Sequence, residues 1–144
     1  MIRRAANTEI LLLYRFPVEV CALTPPAIAK LAPYITRYAD TLNVRVYACG
    51  GIADHCHVLA DLPTDMTADR FPRDILPPTA RFLRDVVGIA GFAWDAGTVA
   101  VQSVSPAERD AVSAYLSEQE ARHESGDLRA EYEAGTGATT TETA

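Results

Sequence analysis

The stretch Gly50-Gly51-Ile52-Ala53-Asp54-His55-Cys56-His57-Val58-Leu59-Ala60-Asp61-Leu62-Pro63 constrains this chain more than any other. The run from His55 to Leu62, set between a Gly-Gly pair and a proline, reads as a β-strand. Side chains alternate sides along a strand, so His55 and His57 share one face, while Cys56 and Val58 point the other way, into a core. Two imidazoles on one face, about 7 Å apart along the strand, can converge on one divalent ion when a third ligand comes from elsewhere. The same spacing serves histidines that only satisfy local hydrogen bonds or stand solvated on a half-buried strand. On spacing alone both readings stay open.

The rest of the chain supplies partners for this strand. Glu9–Phe16 is a mostly continuous apolar run ended by Pro17, which predicts a central strand buried on both faces. Thr24 precedes a helix opening with Pro25-Pro26, and Ile28, Leu31, Ile35, Tyr38 and Leu42 recur at helical spacing through Asn43. Pro33 falls inside it and predicts a kink or split near Leu31. Val44–Cys49 alternates as a second strand, Gly50-Gly51 turns or bulges the chain, and the histidine strand returns as a hairpin.

From Pro63 to Gly91 the pattern is helical but punctuated by Pro72 and Pro77-Pro78. It predicts a short helix or loop, then a better helix from about Pro78, ending near Gly88, with Arg81 and Arg84 on a shared face. Phe92-Ala93-Trp94 and Val99–Val104 flank the turn signal Asp95-Ala96-Gly97-Thr98, giving a fourth strand with a short extra pairing. The order β-α-β-β-α-β is the ferredoxin-like α+β arrangement, an antiparallel sheet with helices on one face.

Ser105-Pro106-Ala107-Glu108 combines an N-cap serine, a proline at the first helical position and a glutamate placed to complete a capping box. The helix that follows is expected from Arg109 to about His123. Val112 and Leu116 lie on its apolar stripe, and Tyr115, Gln119 and His123 on a neighbouring one. Past Glu133 the residues are small and polar, which predicts one domain over residues 1–133 and a disordered tail over 134–144.

A 144-residue chain with 49% hydrophobic content suffices for one core. No window approaches 18 apolar residues and no signal-peptide pattern opens the chain, so a cytoplasmic protein without a membrane partner is expected. Cys21, Cys49 and Cys56 have no Cys-x-x-Cys spacing and read as buried reduced thiols. The net charge of −6 argues against a broad nucleic-acid footprint. Residues 121–144 carry half of that excess, so any basic contact surface must be local.

Tyr115 and Gln119, one turn apart, can be a tyrosine at a helix–sheet contact beside a solvated glutamine. With the histidine pair they suggest a second reading: a metal held by two imidazoles and an amide oxygen, within reach of a phenol able to attack a phosphodiester. Gly50-Gly51 before Asp54-His55-Cys56-His57-Val58-Leu59, then Phe92-Ala93-Trp94, Ser103-Val104-Ser105-Pro106 and Tyr115-Leu116-Ser117-Glu118-Gln119-Glu120-Ala121-Arg122-His123, resembles the single-tyrosine HUH transposases of the insertion-sequence-200 type, especially the REP-associated tyrosine transposases. The match spans roughly residues 8–133.

The resemblance implies a ferredoxin-like domain with a C-terminal catalytic helix. His55, His57 and Gln119 would be ligands of Mg²⁺ or Mn²⁺, and Tyr115 the nucleophile that forms a 5′-phosphotyrosine link. It also implies single-stranded hairpin DNA as substrate and a homodimer joined through its sheets. Arg15, Arg81 and Arg84 are the expected DNA contacts, and His123 has no assigned role. The competing readings are a non-catalytic ferredoxin-like DNA-binding or regulatory module descended from such an enzyme, and an unrelated small-molecule-binding domain.

Overall fold

The computed structural model describes residues 9–118. In chain order it has strand β1 (Leu11–Val20), helix α1 (Pro25–Thr41), strands β2 (Arg45–Ile52) and β3 (His55–Asp61), and helix α2 (Arg70–Phe82), which runs on into a π-helical turn over Leu83–Val87. Strands β4 (Ala93–Trp94) and β5 (Ala100–Val104) and helix α3 (Arg109–Ser117) follow. Every pairing is antiparallel, in the order β2-β3-β1, with β5 and β4 both along the far side of β1. This is the ferredoxin-like α+β fold, its last strand broken into two pieces and a third helix added.

β1 is buried on both faces, as its apolar run predicts. Tyr14 and Phe16 join Cys56, Val58 and Ala60 in a core covered by α1 and α2. Leu11 and Leu13 join Leu59 and Val104 in a second core, covered by Val112, Tyr115 and Leu116 of α3. The sheet therefore separates two helical layers, and a residue's parity along its strand decides which layer it meets.

The prolines do less damage than expected. β1 runs through Pro17 because its missing N–H faces the β5/β4 side, in the gap between the Arg15↔Ala100 and Val18↔Trp94 pairs. There the Pro17 carbonyl still accepts the Asp95 amide at 2.8 Å. α1 is one helix, not two: Pro33 lies on its exposed side, and Ala27, Leu31, Ile35 and Ala39 are buried on the other. α2 likewise continues through Pro77 and Pro78. Each proline inside a helix costs about 3 kcal/mol, but burial of Phe71, Ile75 and Leu76 offsets this at about 1.5–3 kcal/mol per large side chain. Gly88, at φ 93°, ends the π turn as a left-handed cap.

Two boundaries differ in another way. The hairpin turns at Ala53-Asp54, and β2 continues through Gly50-Gly51 to Ile52. The Ser105 side chain makes no capping bond; a 3₁₀ turn over Pro106–Glu108 tightens the entry instead, with the Glu108 amide on the Ser105 carbonyl at 2.9 Å. α3 is described over Arg109–Ser117 with Glu118 as its cap; the stretch expected to carry it on to His123 lies outside the described residues. The tail expected over 134–144 lies outside the described residues.

Candidate functional site

His57 stands across from Arg15 of β1 and Gly50 of β2, and His55 across from Pro17 and Ile52. Opposed residues of a ladder share a face, and Leu59, next along the same side of β3, belongs to the α3-side core. Both imidazoles thus lie on the α3 side, while Cys56 and Val58 enter the other core. The rings approach edge to face, with centroids 4.9 Å apart and planes at 85°. They are not solvated: His55 is 2% and His57 0% exposed.

A bulge in β2 sets this register. Val46 pairs with Ala60 and Ala48 with Leu59, so Tyr47 is the extra residue. Tyr47 and Ala48 consequently both pack on the α3-side core, whereas Val46 and Cys49 pack on the other. The shifted phase brings a glycine, Gly50, opposite His57.

Asp54 holds His55. Its Oδ1 lies 2.7 Å from His55 Nδ1, which leaves Nε2 as the imidazole nitrogen for any other partner. Partial burial pushes the Asp54 carboxyl up, but the hydrogen bond from His55 and the charges of His55 and Arg15 outweigh this and hold it below the usual carboxylate range. A carboxylate on the far nitrogen of an imidazole is the outer partner that metal-bound histidines use to fix tautomer and ring orientation. The donor set therefore fits a divalent ion as far as it is described. Among the described residues no group of three or more His, Cys, Asp or Glu forms around it, so a third ligand must be of another kind or lie elsewhere.

Tyr115 reaches the same face from above. It is 1% exposed and packs in the core that includes Leu13 and Leu59. Arg15 and His57 are the next residues on that side of β1 and β3, about 7 Å further along by strand rise. Gln119 and His123 lie outside the described residues. Arg81 and Arg84 are not brought to this face: α2 packs on the opposite side of the sheet, and Arg84 Nη1 donates to the Phe92 carbonyl at 3.1 Å.

Other described tyrosines are poorly placed as nucleophiles. Tyr47 gives its hydroxyl to Glu9 Oε2 at 2.9 Å, and burial followed by that bond raises its pKa. Tyr14 donates to the Ala68 carbonyl at 2.5 Å and is pushed up by burial and by Asp69. Sequence reasoning gave no role to Asp54, although its place in the turn directly before His55 was a readable signal. It also missed the Glu9–Tyr47–Arg109 cluster, whose members are scattered along the chain.

No family model and no curated protein matches the sequence. The fold is similar to the crystal structure of a "putative transposase" from Deinococcus radiodurans R1. That likeness has a TM-score of 0.61 and 15% identity, covering 83% of this chain and 98% of the other. Likeness at that identity speaks for the fold alone.

Proposed function

We propose that this protein is a metal-dependent single-stranded DNA nuclease and strand transferase of the HUH single-tyrosine class, acting as a transposase-type enzyme on hairpin DNA. The observation that carries the reading is the buried pair His55 and His57, with Asp54 on His55 Nδ1, on the sheet face that the Tyr115 helix covers. The fold shared with a protein described as a transposase supports it.

In this reading His55, His57 and Gln119 hold Mg²⁺ or Mn²⁺, which when bound polarises the phosphodiester. Asp54 keeps His55 oriented, and Arg15 offers its guanidinium to a phosphate oxygen beside His57. Tyr115 Oη bonds to phosphorus as the bond from phosphorus to the 3′-oxygen breaks. The phenolic proton leaves to solvent, and the departing oxygen takes one to become a 3′-hydroxyl. The product is a 5′-phosphotyrosine, and the working unit is a homodimer.

One observation favours the non-catalytic DNA-binding alternative: Tyr115 is 1% exposed, so its oxygen meets DNA only when its cover shifts. A denaturing gel of protein incubated with labelled single-stranded hairpins and Mn²⁺ separates the two. The parent is expected to form a covalent adduct and Tyr115→Phe none. An adduct surviving in Tyr115→Phe means another nucleophile, and a parent that binds DNA without any adduct favours the non-catalytic module.

A further inference from the structure

α3 carries Tyr115 and, among the described residues, docks on the sheet through one short apolar stripe. Its buried residues are Val112, Tyr115 and Leu116, and a helix of this length is not stable alone in water. At its first residue stands Arg109, a cation at the positive end of the helix dipole, where it is unfavourable. Its partner explains the placement. Arg109 Nη1 meets Glu9 Oε2 at 2.7 Å, and the Tyr47 hydroxyl donates to the same oxygen at 2.9 Å. The Arg109 guanidinium carbon lies 5.0 Å from the Tyr47 ring centroid, and that of Arg45 lies 4.5 Å from it. With Arg109 34% and Glu9 19% exposed, the pair is partly shielded from solvent.

This cluster ties together three elements of the site. Glu9 leads into β1, which bears Arg15; Tyr47 is the bulge residue of β2; Arg109 opens the helix of Tyr115. We propose that Glu9, Tyr47 and Arg109 form a clamp of positioning residues that sets where α3 lies on the sheet, and so where the Tyr115 oxygen stands relative to His57. The inference rests on the proposed transfer reaction for its catalytic consequence, and on helix docking for its structural one.

Two readouts on the full chain keep these apart: amide hydrogen exchange along α3, and the single-turnover rate of adduct formation on a labelled single-stranded hairpin with Mn²⁺. Arg109→Met keeps the stem over Tyr47, and Glu9→Gln keeps an acceptor for its hydroxyl. Each is expected to speed exchange in α3 and to slow adduct formation about tenfold or more while DNA affinity stays at the parent value. The swapped pair E9R/R109E restores the ion pair but leaves the Tyr47 hydroxyl without its acceptor, and is expected to recover most of both losses, falling short by about what Tyr47→Phe costs. Tyr47→Phe, which drops only the hydroxyl, should give a smaller loss. Unchanged exchange in both single variants overturns the clamp. So does a loss of rate that the swap fails to recover once exchange is restored. A parent that forms no adduct overturns the transfer reaction instead, and the exchange comparison still decides the clamp.

Discussion

Arg15 stands directly across from His57 in the β1–β3 ladder, and its Nε is buried with no hydrogen-bond partner among the described residues. An unsatisfied buried donor costs about 1–3 kcal/mol, which outweighs the attraction between the guanidinium and the largely exposed Asp54 carboxylate. Arg15→Met keeps the stem and removes the guanidinium. It is expected to raise the stability to urea by about 1 kcal/mol. It should also weaken single-stranded DNA binding and reduce the log–log salt slope by about 0.7, the value for one lost phosphate contact. A variant that is less stable and binds with the parent's salt slope would remove Arg15 from the interface.

Asp54 supplies a pH test. Its folded pKa lies below the ordinary value because the His55 hydrogen bond and nearby positive charge outweigh partial burial. A depressed carboxyl stabilises the fold above its unfolded pKa of about 3.9, and that contribution fades as pH falls through the folded value. Asp54→Asn keeps an acceptor for Nδ1 but loses the charge. Since the side chain is 74% exposed, the effect on stability should be small. Urea melts are expected to show the variant slightly less stable at neutral pH and level with the parent in strong acid. A gap that widens on acidification contradicts the assignment.

The order of elements was legible because apolar spacing reports burial directly: the β1 run and the α1 stripe needed no tertiary information. The prolines misled because Pro17, Pro33 and Pro77-Pro78 are local penalties, while what offsets them lies in a distant core or in the gap between β5 and β4. The face shared by His55 and His57 followed from parity alone. Their burial did not, because it depends on what packs over that face of the sheet, which strand parity does not report. Arg81 and Arg84 have the charge a phosphate contact needs, but charge says nothing about the side of the sheet a helix covers. Glu9 and Arg109 meet across almost the whole described chain, a contact that no local pattern announces.

Gly51 tests the backbone under the histidines. A Cβ there would stand 2.8 Å from the His55 carbonyl oxygen and 3.2 Å from Cys56 Cα, both backbone atoms that cannot swing aside. Gly51→Ala is therefore expected to cost about 1–3 kcal/mol and to disturb the β2–β3 pairing at His55. At Gly97 the nearest atom would be Asp95 Oδ1 at 3.7 Å, an ordinary contact. Gly97→Ala is the control and should stay within about 0.5 kcal/mol of the parent. Equal effects of the two in thermal melts would contradict the close approach of β2 to β3.

The histidine pair separates structural from metal-binding roles by two additive signals. With His57 0% exposed, His57→Ala leaves a cavity and should cost about 1–3 kcal/mol in the presence of EDTA, contrary to the small effect a strand-surface imidazole would have. An ion that binds only the folded chain adds stability on top, about 2.7 kcal/mol at a hundred times its dissociation constant. Mn²⁺ is therefore expected to raise the melting temperature of the parent and leave His57→Ala where EDTA leaves it, so the gap between the two widens with metal. His55→Ala should behave alike. Asp54→Asn should keep part of the Mn²⁺ response with affinity lowered about tenfold or more, because His55 retains its nitrogen but loses its charged outer partner. Calorimetric titration with Mn²⁺ measures the affinities directly. A melting temperature raised equally by Mn²⁺ in parent and His57→Ala would place the ion away from the imidazoles, and no response in the parent would leave the pair as buried, hydrogen-bonded core histidines.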